Sequence, residues 1–418
     1  MKLSNCKILV LPFTHTLSHL SRPLEISKKL FSKGCNIMFG GESKKTVFIK
    51  DEGFDVYPLY EPDPDLLFHN IRNGKIRFVD DHTLNMMINS DLGLFEKVTP
   101  DIVISDGRFS AMISTQIYGV KHVAIVNGSS TPYRAIPYFP IVKRHFADIY
   151  PPEDFLLKLI NPITLKLEMF VFDNIMRIFK SLSNKYNIKH RVTATNCLCG
   201  VNLTLIADIP EFFPSKFLPQ NYHYIGPVTW KPPKSKNPPE WWPIDKRNKK
   251  IAYITMGTTG EPELFQKIYN VFKDIENIIC VITTGGQSDS IKSIPDKIYV
   301  TDYMDGDSVM EKADLVVCHG GNGTIYQALT FGIPIIGIPT IPDQNFNMRM
   351  VENINGGIRI LSENILSNPG YLENKIKKII SDNFNLKRSL IHFKNRLKTI
   401  NGAETGARII TDFIRNEL

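Results

Sequence analysis

Three glycines within four residues, Gly320, Gly321 and Gly323, separate an apolar run from Leu315 to Cys318 and a helical pattern reaching about Phe331. A backbone without side chains takes positive φ readily and lets a ligand come close. The helix that follows opens with unsatisfied N–H groups and the positive end of its dipole. Strand, glycine turn and helix start together make a cradle for a diphosphate. His319 and Thr324 add phosphate-directed donors at the same turn. The same glycines would also serve a tight strand-to-helix connection with no ligand; the two added donors favour the phosphate reading. Neither the G-x-G-x-x-G fingerprint nor the P-loop pattern G-x-x-x-x-G-K-[ST] is present.

The first half offers an imidazole and a carboxylate at strand ends. His19 follows the run Lys7 to Pro12 and the loop Phe13 to Ser18, and it opens a helical spacing through Leu20, Leu24, Ile26 and Leu30. It suits general-base work, because an imidazole titrates near operating pH; it suits equally a hydrogen bond at a helix start. His15 is the rival, four residues earlier and deeper in the loop. Asp106 ends the strand pattern Ile102 to Asp106, and a carboxylate there can accept from an imidazole N–H and fix its tautomer. It can as well be a turn or cap residue. Asp101, after Pro100, reads as a strand-entry residue.

The elements that must position these groups read as repeated βα units. Gly34 stops the first helix, and Asn36 to Phe39 is the next strand. Phe54 to Leu59 is a short strand, Glu61-Pro62-Asp63-Pro64-Asp65 a turn, and residues 66 to 98 helices and loops. A helix over Phe109 to Tyr118 and a strand over His122 to Val126 follow, with Val201 to Ala207 and Tyr222 to Ile225 returning to strand pattern. Phe155 to Phe179 is strongly apolar yet carries Lys158, Lys166, Glu168, Asp173 and Arg177. It fits helices lining an acceptor cleft, amphipathic helices touching a membrane, or a buried core helix. Beyond the linker, strands are expected at Lys250 to Met256, Ile278 to Thr284 and Lys297 to Val300, and helices over 370 to 418, with Ala403 to Ile414 in the last. This is a doubly wound α/β pattern, in which ligands meet the carboxyl ends of strands.

The motif His319-Gly320-Gly321-x-Gly323-Thr324, with Gly332-Ile333-Pro334, Pro339, Asp343-Gln344 and Asn347, resembles the nucleotide-sugar site of family 1 glycosyltransferases, of the bacterial macrolide and UDP-glucosyltransferase-like branch. The match runs from about Ile251 to Ile360; a weaker one covers Ser18-His19-Leu20-Ser21-Arg22, where the family's usual glycine is Ser18. The resemblance implies a GT-B fold, two Rossmann-like domains facing across a cleft, with a C-terminal helix crossing back to the first domain. It implies that His19 is the base and that an aspartate near Asp106 orients it. In the donor half it implies phosphate contacts from His319, Gly321, Asn322, Gly323 and Thr324, and from Thr258 in the turn Thr255-Met256-Gly257-Thr258. It gives the ribose to the residue at 327, usually Glu and here Gln327, and the sugar hydroxyls to Asp343 and Gln344. Gln loses charge assistance worth about 1 kcal/mol. Tyr303-Met304 departs from the family's Pro-Gln or Trp-Gln element, which puts the base contact in doubt.

The chain has 418 residues, enough for two domains. The division expected is 1–230 for the acceptor, a linker over 231–250 and 251–418 for the donor. The linker holds five prolines and seven basic residues, with Trp241 and Trp242 pinning it to one domain. The net charge of +8 fits nucleic acid, an anionic membrane, an anionic substrate or a surface bias alike, and no recognition motif supports nucleic acid. Six cysteines without a C-x-x-C pair read as reduced core residues of a cytosolic protein. No apolar stretch is long enough for a spanning helix. The start is too short in apolar residues for a signal peptide.

The reading is an inverting transferase that moves a hexose from a nucleotide-diphosphate sugar, a UDP-hexose, to a hydroxylated hydrophobic acceptor. It needs no metal and no resident cofactor, and sits in the cytoplasm with peripheral contact to the inner membrane face. An epimerase of the same architecture and a non-catalytic nucleotide-sugar binder are the alternatives.

Overall fold

The computed structural model describes residues 3–139, 155–230, 238–256, 262–285, 291–381 and 385–417. Thr258, placed among the donor contacts by the sequence, and the first seven linker residues lie outside them. The chain divides into two compact units. Of the described residues, the first gathers 3–139, 159–230 and 401–417; the second gathers 238–400 and, from the start of the helix over 155–175, residues 155–158.

In the first unit the elements run β1 Lys7–Pro12, α1 Leu17–Ser32, β2 Asn36–Gly40, α2 Val47–Asp51, β3 Asp55–Tyr57, α3 Pro64–Arg72, α4 Asp81–Val98, β4 Ile102–Asp106, α5 Ala111–Tyr118 and β5 Lys121–Val126. Then follow α6 Phe155–Ile175, α7 Ile178–Lys185, β6 Leu203–Ile206 and β7 Tyr222–Tyr224. The seven strands pair in the order β3-β2-β1-β4-β5-β6-β7, all parallel. A parallel sheet is covered on both faces, which is why β4 is buried at every residue and opens on the apolar run Ile102–Ile104.

The second unit runs β8 Lys250–Thr255, α8 Pro262–Asp274, β9 Ile278–Thr283, β10 Ile298–Thr301, α9 Gly306–Met310, β11 Leu315–Cys318, α10 Asn322–Phe331, β12 Ile335–Gly337 and α11 Pro342–Asn353. It continues with β13 Gly357–Arg359, α12 Ser362–Ser367, α13 Pro369–Ser381 and α14 Asn385–Lys398. Its six strands are again parallel, in the order β10-β9-β8-β11-β12-β13. Trp241 lies 5.1 Å from the Tyr299 ring, and Lys312 stands over Trp242 at 5.4 Å, so the end of the linker packs on this unit.

The last helix, α15 Gly402–Glu417, belongs to the first unit. Ala403, Ala407, Ile410 and Ile414 face the core around Ile8, Val10, Leu24 and Ile26. Small residues let it approach α1: a Cβ on Gly406 would stand 3.0 Å from Ile26. Glu404 then accepts from Lys33 at 2.8 Å.

Three stretches carry detail that their sequence reading did not give. Asp63 does more than turn the chain: its Oδ1 accepts from the N–H groups of Asp65 and Leu66 and caps α3. Residues 66–98 hold a long helix, α4, whose Asp91 is buried with Arg108, Ser110 and Ser114 donating to it. α6 is not a fully buried core helix, since Asn161, Thr164 and Leu165 are buried while Ile163, Leu167 and Phe170 are exposed. Among the described residues no helix is long and apolar enough to cross a membrane.

Candidate active site

Both sheets reverse their strand order at one place, between β1 and β4 in the first unit and between β8 and β11 in the second. At such a switch point the connections leave the sheet in opposite directions and open a crevice at the carboxyl ends of the strands. His19 and Asp106 fall at the first of these points, and His319 to Thr324 at the second.

In the first unit Pro12 pairs with Asp106, and the Phe13 N–H donates to the Asp106 carbonyl at 2.8 Å. The β1 loop and the β4 end are thereby fixed side by side. α1 starts after Thr16, so His19 lies in its first turn. Pro23 lacks the N–H that would bond the His19 carbonyl, which leaves that turn without one helical bond. Gly107, at φ +74, makes room for the imidazole: a Cβ there would stand 2.9 Å from His19 Cγ. His19 Nδ1 lies 2.6 Å from Asp106 Oδ1. With Nδ1–H donating to the carboxylate, Nε2 keeps its lone pair for an incoming proton. The His19 side chain is 29% exposed, whereas Asp106 is buried.

Arg22 completes the cluster. Its Nε and Nη2 donate to Asp106 Oδ2 and Oδ1 at 2.9 and 2.7 Å, and its Nη1 to Asn127. Its place three residues after His19 on the same helix face was visible, but not its carboxylate partner 84 residues on. Glu61 was also missed. Buried behind the loop, it accepts from the Thr14 N–H at 2.6 Å and from the Glu42 N–H at 3.1 Å. Nothing in Glu61-Pro62 announces this. His15 stands 4.0 Å from Glu61 and packs on Phe13, away from the Asp106 cluster. Asp101 accepts from the Lys7 N–H at 2.8 Å, at the strand entry.

In the second unit the turn after β11 carries His319, Gly320 and Gly321 into α10. Gly320, at φ +88, is required by the fold, since a Cβ there would meet the Gln344 carbonyl and Met348 at 2.9 Å; Gly321 makes room for the imidazole, since a Cβ there would stand 2.6 Å from His319 Nε2. Gly323 is different. It is exposed, and a Cβ there would meet nothing within 4 Å. α10 has no side-chain cap on its first N–H groups. Burial pushes His319 down to about 4, a hydrogen bond at the Thr255 backbone opposing in part. The residue keeps some surface, but its Nδ1 is enclosed and has no hydrogen-bond partner among the described residues. An imidazole held neutral there remains a directed donor or acceptor.

The other donor candidates divide. Asn322 and Thr324 share the first turn of α10 with Gly323. Gln327, one turn on, donates to Asp307 at 2.8 Å. Asp343 reaches the turn indirectly: Asn347, fully buried, donates from Nδ2 to Asp343 at 3.3 Å and to the Gly320 carbonyl at 3.0 Å. Gln344 is buried, and its Oε1 accepts from the Thr340 N–H at 2.9 Å, so its carbonyl is turned into its own loop. Asn347 thus positions the glycine turn. Near the β9 and β10 ends, Thr284 donates to Asp302 at 2.6 Å and Tyr303 to the Gly285 carbonyl at 2.9 Å. A cavity of about 210 Å³ beside Trp241, Arg247 and Tyr299 lies at the amino ends of the strands and takes no part here. Among the described residues no group of three or more His, Cys, Asp or Glu could hold a metal ion.

Residues 251–401 match the glycosyltransferase family 28 C-terminal domain. The chain is 29% identical over 363 residues to the PGL/p-HBAD biosynthesis rhamnosyltransferase of Mycobacterium bovis (strain BCG / Pasteur 1173P2), covering 86% of this chain and 78% of the relative. Among solved structures it is similar to the glycotransferase of kitacinnamycin, with a TM-score of 0.71 at 17% identity over 97% of this chain and 98% of that one. It is also similar to the spinosyn rhamnosyltransferase SpnG complexed with thymidine diphosphate, with a TM-score of 0.69 at 15% identity over 97% and 100%.

Proposed function

We propose that this glycosyltransferase of the GT-B fold moves a hexose from a UDP- or dTDP-sugar to a hydroxyl of a hydrophobic acceptor, inverting the anomeric carbon. His19 Nε2 takes the acceptor's hydroxyl proton. The oxygen bonds to the anomeric carbon as the carbon–oxygen bond to the diphosphate breaks, and the electron pair leaves on the nucleoside diphosphate. Asp106 holds the imidazole in the tautomer that can accept, and Arg22 holds Asp106. The α10 start, with His319 and Thr324, offsets the charge of the leaving diphosphate, so no metal is required. The carrying observation is the uncapped α10 start at the sheet's switch point, where Gly323 faces open space. The donor class is supported further by the thymidine diphosphate in the spinosyn relative, and the sugar by the rhamnosyl transfer named for the mycobacterial one.

We also place the enzyme in the cytoplasm with peripheral membrane contact. The six buried, unpaired cysteines support a reducing compartment. The test is consumption of UDP-glucose and dTDP-rhamnose, followed by mass spectrometry against a panel of phenolic, macrolide and lipid alcohols. Replacing His19 with Ala should abolish turnover and leave donor binding intact. A variant that turns over unchanged would refute the assigned base. Donor binding without turnover in either protein would leave a sensor.

A further inference from the structure

The first turn of α1 does little to hold itself. Its cap position, Thr16, makes no side-chain bond to the turn, and Pro23 withholds an N–H from the His19 carbonyl. What fixes His19 is therefore the loop before it, and that loop is tethered at three successive residues. The Phe13 N–H donates to the Asp106 carbonyl at 2.8 Å. The Thr14 N–H and hydroxyl both donate to Glu61, the N–H at 2.6 Å. The His15 carbonyl accepts from Lys45 Nζ at 2.9 Å. The middle tether is enclosed at both ends, since Thr14 and Glu61 are buried. Ser43 closes round Thr14, its hydroxyl donating to the Thr14 carbonyl at 2.8 Å and its N–H to the Thr14 hydroxyl at 3.2 Å.

Glu61 is itself held from behind. The preceding Tyr60 donates its N–H to Ser90 at 2.9 Å, and its carbonyl accepts from Arg108 Nη1 at 2.6 Å. Arg108 is clamped by Asp91, at 2.7 and 3.1 Å, and stands two residues after Asp106. The loop that carries the base and the strand end that carries its carboxylate thus share one buried frame, with Glu61 on one side and Arg108 on the other. Within it Glu61 takes three donors on two oxygens, the Thr14 N–H and hydroxyl and, at 3.1 Å, the Glu42 N–H. A carboxylate accepts from all of them, whereas an amide must turn its NH2 toward one or two. Stability alone does not call for a buried carboxylate on neutral donors, because an apolar contact ties a loop without desolvating a charge. Placement does: hydrogen bonds fix direction and distance, and a shift of about 1 Å in a reacting group lowers a rate roughly a hundredfold.

We propose, on the premise that His19 is the base, that Glu61 is its positioning residue: by fixing Thr14 it sets where the imidazole stands on Asp106, and it touches neither reactant. The test is Glu61→Gln in the full chain, with two readouts. Isotope-labelled histidine nitrogens report the ring tautomer by magnetic resonance, the His19 signals being those lost in His19→Gln. Wild type should hold the proton on Nδ1, and Glu61→Gln should show a mixture with the Nε2–H form. Turnover is measured with the donor, UDP-glucose or dTDP-rhamnose, and the alcohol that react in the acceptor panel. There kcat should fall about 10- to 100-fold, while the KM of the alcohol and the donor Kd stay within about threefold. Thr14→Val, which removes the hydroxyl alone, should move both readouts the same way by less, and it serves if Glu61→Gln does not fold. Asp101→Ala is the control for stability: it strips the acceptor from the Lys7 N–H at the other end of β1 and should lower the urea midpoint with kcat and tautomer unchanged. A wild-type tautomer in the Glu61 and Thr14 variants, or kcat within about threefold of wild type in both, overturns the proposal. So does an equal loss of kcat in Asp101→Ala. Turnover kept by His19→Gln would sink the base alone, since the tautomer still reports whether Glu61 places the ring.

Discussion

Asparagine at position 106 puts the base assembly to its sharpest test. Three N–H donors converge on the two Asp106 oxygens: His19 Nδ1 at 2.6 Å, Arg22 Nε at 2.9 Å and Arg22 Nη2 at 2.7 Å. Asp106→Asn leaves one acceptor and adds an NH2 group that must face a donor. If the amide oxygen stays with Arg22, the NH2 meets His19 Nδ1 and forces that nitrogen to accept. The proton then sits on Nε2, which can no longer take one from an alcohol. If the oxygen turns to His19, the NH2 abuts the guanidinium. In both cases a buried cation loses its counter-charge, a change that costs about 3–5 kcal/mol, lessened by the bond Arg22 keeps with Asn127. Turnover should fall by roughly 10²–10⁴. His19→Gln isolates the catalytic part, because the Asp106–Arg22 pair remains and the side chain is partly exposed. It should lose comparable turnover for less than about 1 kcal/mol of stability. Urea midpoints, calorimetric donor binding and kcat are measured on both variants. If His19→Gln keeps turnover within about tenfold of wild type, the base assignment fails. If Asp106→Asn melts like wild type, the pair does not hold the loop.

Gly323→Ala should hold or raise stability, by up to about 1 kcal/mol from helix propensity, yet weaken donor binding at least about tenfold in calorimetry; unchanged binding would remove the diphosphate from that turn. Gly107→Ala should cost stability and turnover together, because φ is +74 and the new Cβ meets the His19 ring; full turnover at reduced stability would show that the ring tolerates displacement. His122 is fully buried and accepts the Val201 N–H at 3.3 Å, so its Nε2 donates to Ser105 at 2.8 Å. Burial pushes it from 6.5 to about 3. Below 6.5 the unfolded chain binds a proton that the fold refuses, so stability should fall by about 1.4 kcal/mol per pH unit on acidification towards 3, and be flat on this account above 6.5. Urea midpoints across that window, with His122→Asn showing a shallower slope, check the sign. A chelator should leave turnover unchanged; its abolition would call for a metal in the mechanism.

The regular elements were largely legible. Lys7–Pro12 and Ile102–Asp106 are apolar runs ended by a proline and a carboxylate, and the parallel sheet buries both their faces, so composition alone marks them. The glycine turn was legible because φ constraints write themselves as residue type. What spacing could not show is partnership across distance. Arg22 finds Asp106, Glu61 finds Thr14, and Asn347 finds the Gly320 carbonyl through the sheet's crossover, which no local pattern encodes. The orientation of α6 was hidden for the same reason: its apolar residues look like core until Glu168 is seen to bind Arg134 and Asp173 the Thr195 N–H. Nor did the motif show that the Gln344 side-chain carbonyl closes its own loop on Thr340.

The final helix also carries a lesson about synthesis. Ala403, Ala407, Ile410 and Ile414 finish the hydrophobic centre begun by Ile8 and Val10. A nascent polypeptide emerging from the ribosome therefore lacks this part of the first unit's core until the residues of the second unit have been made.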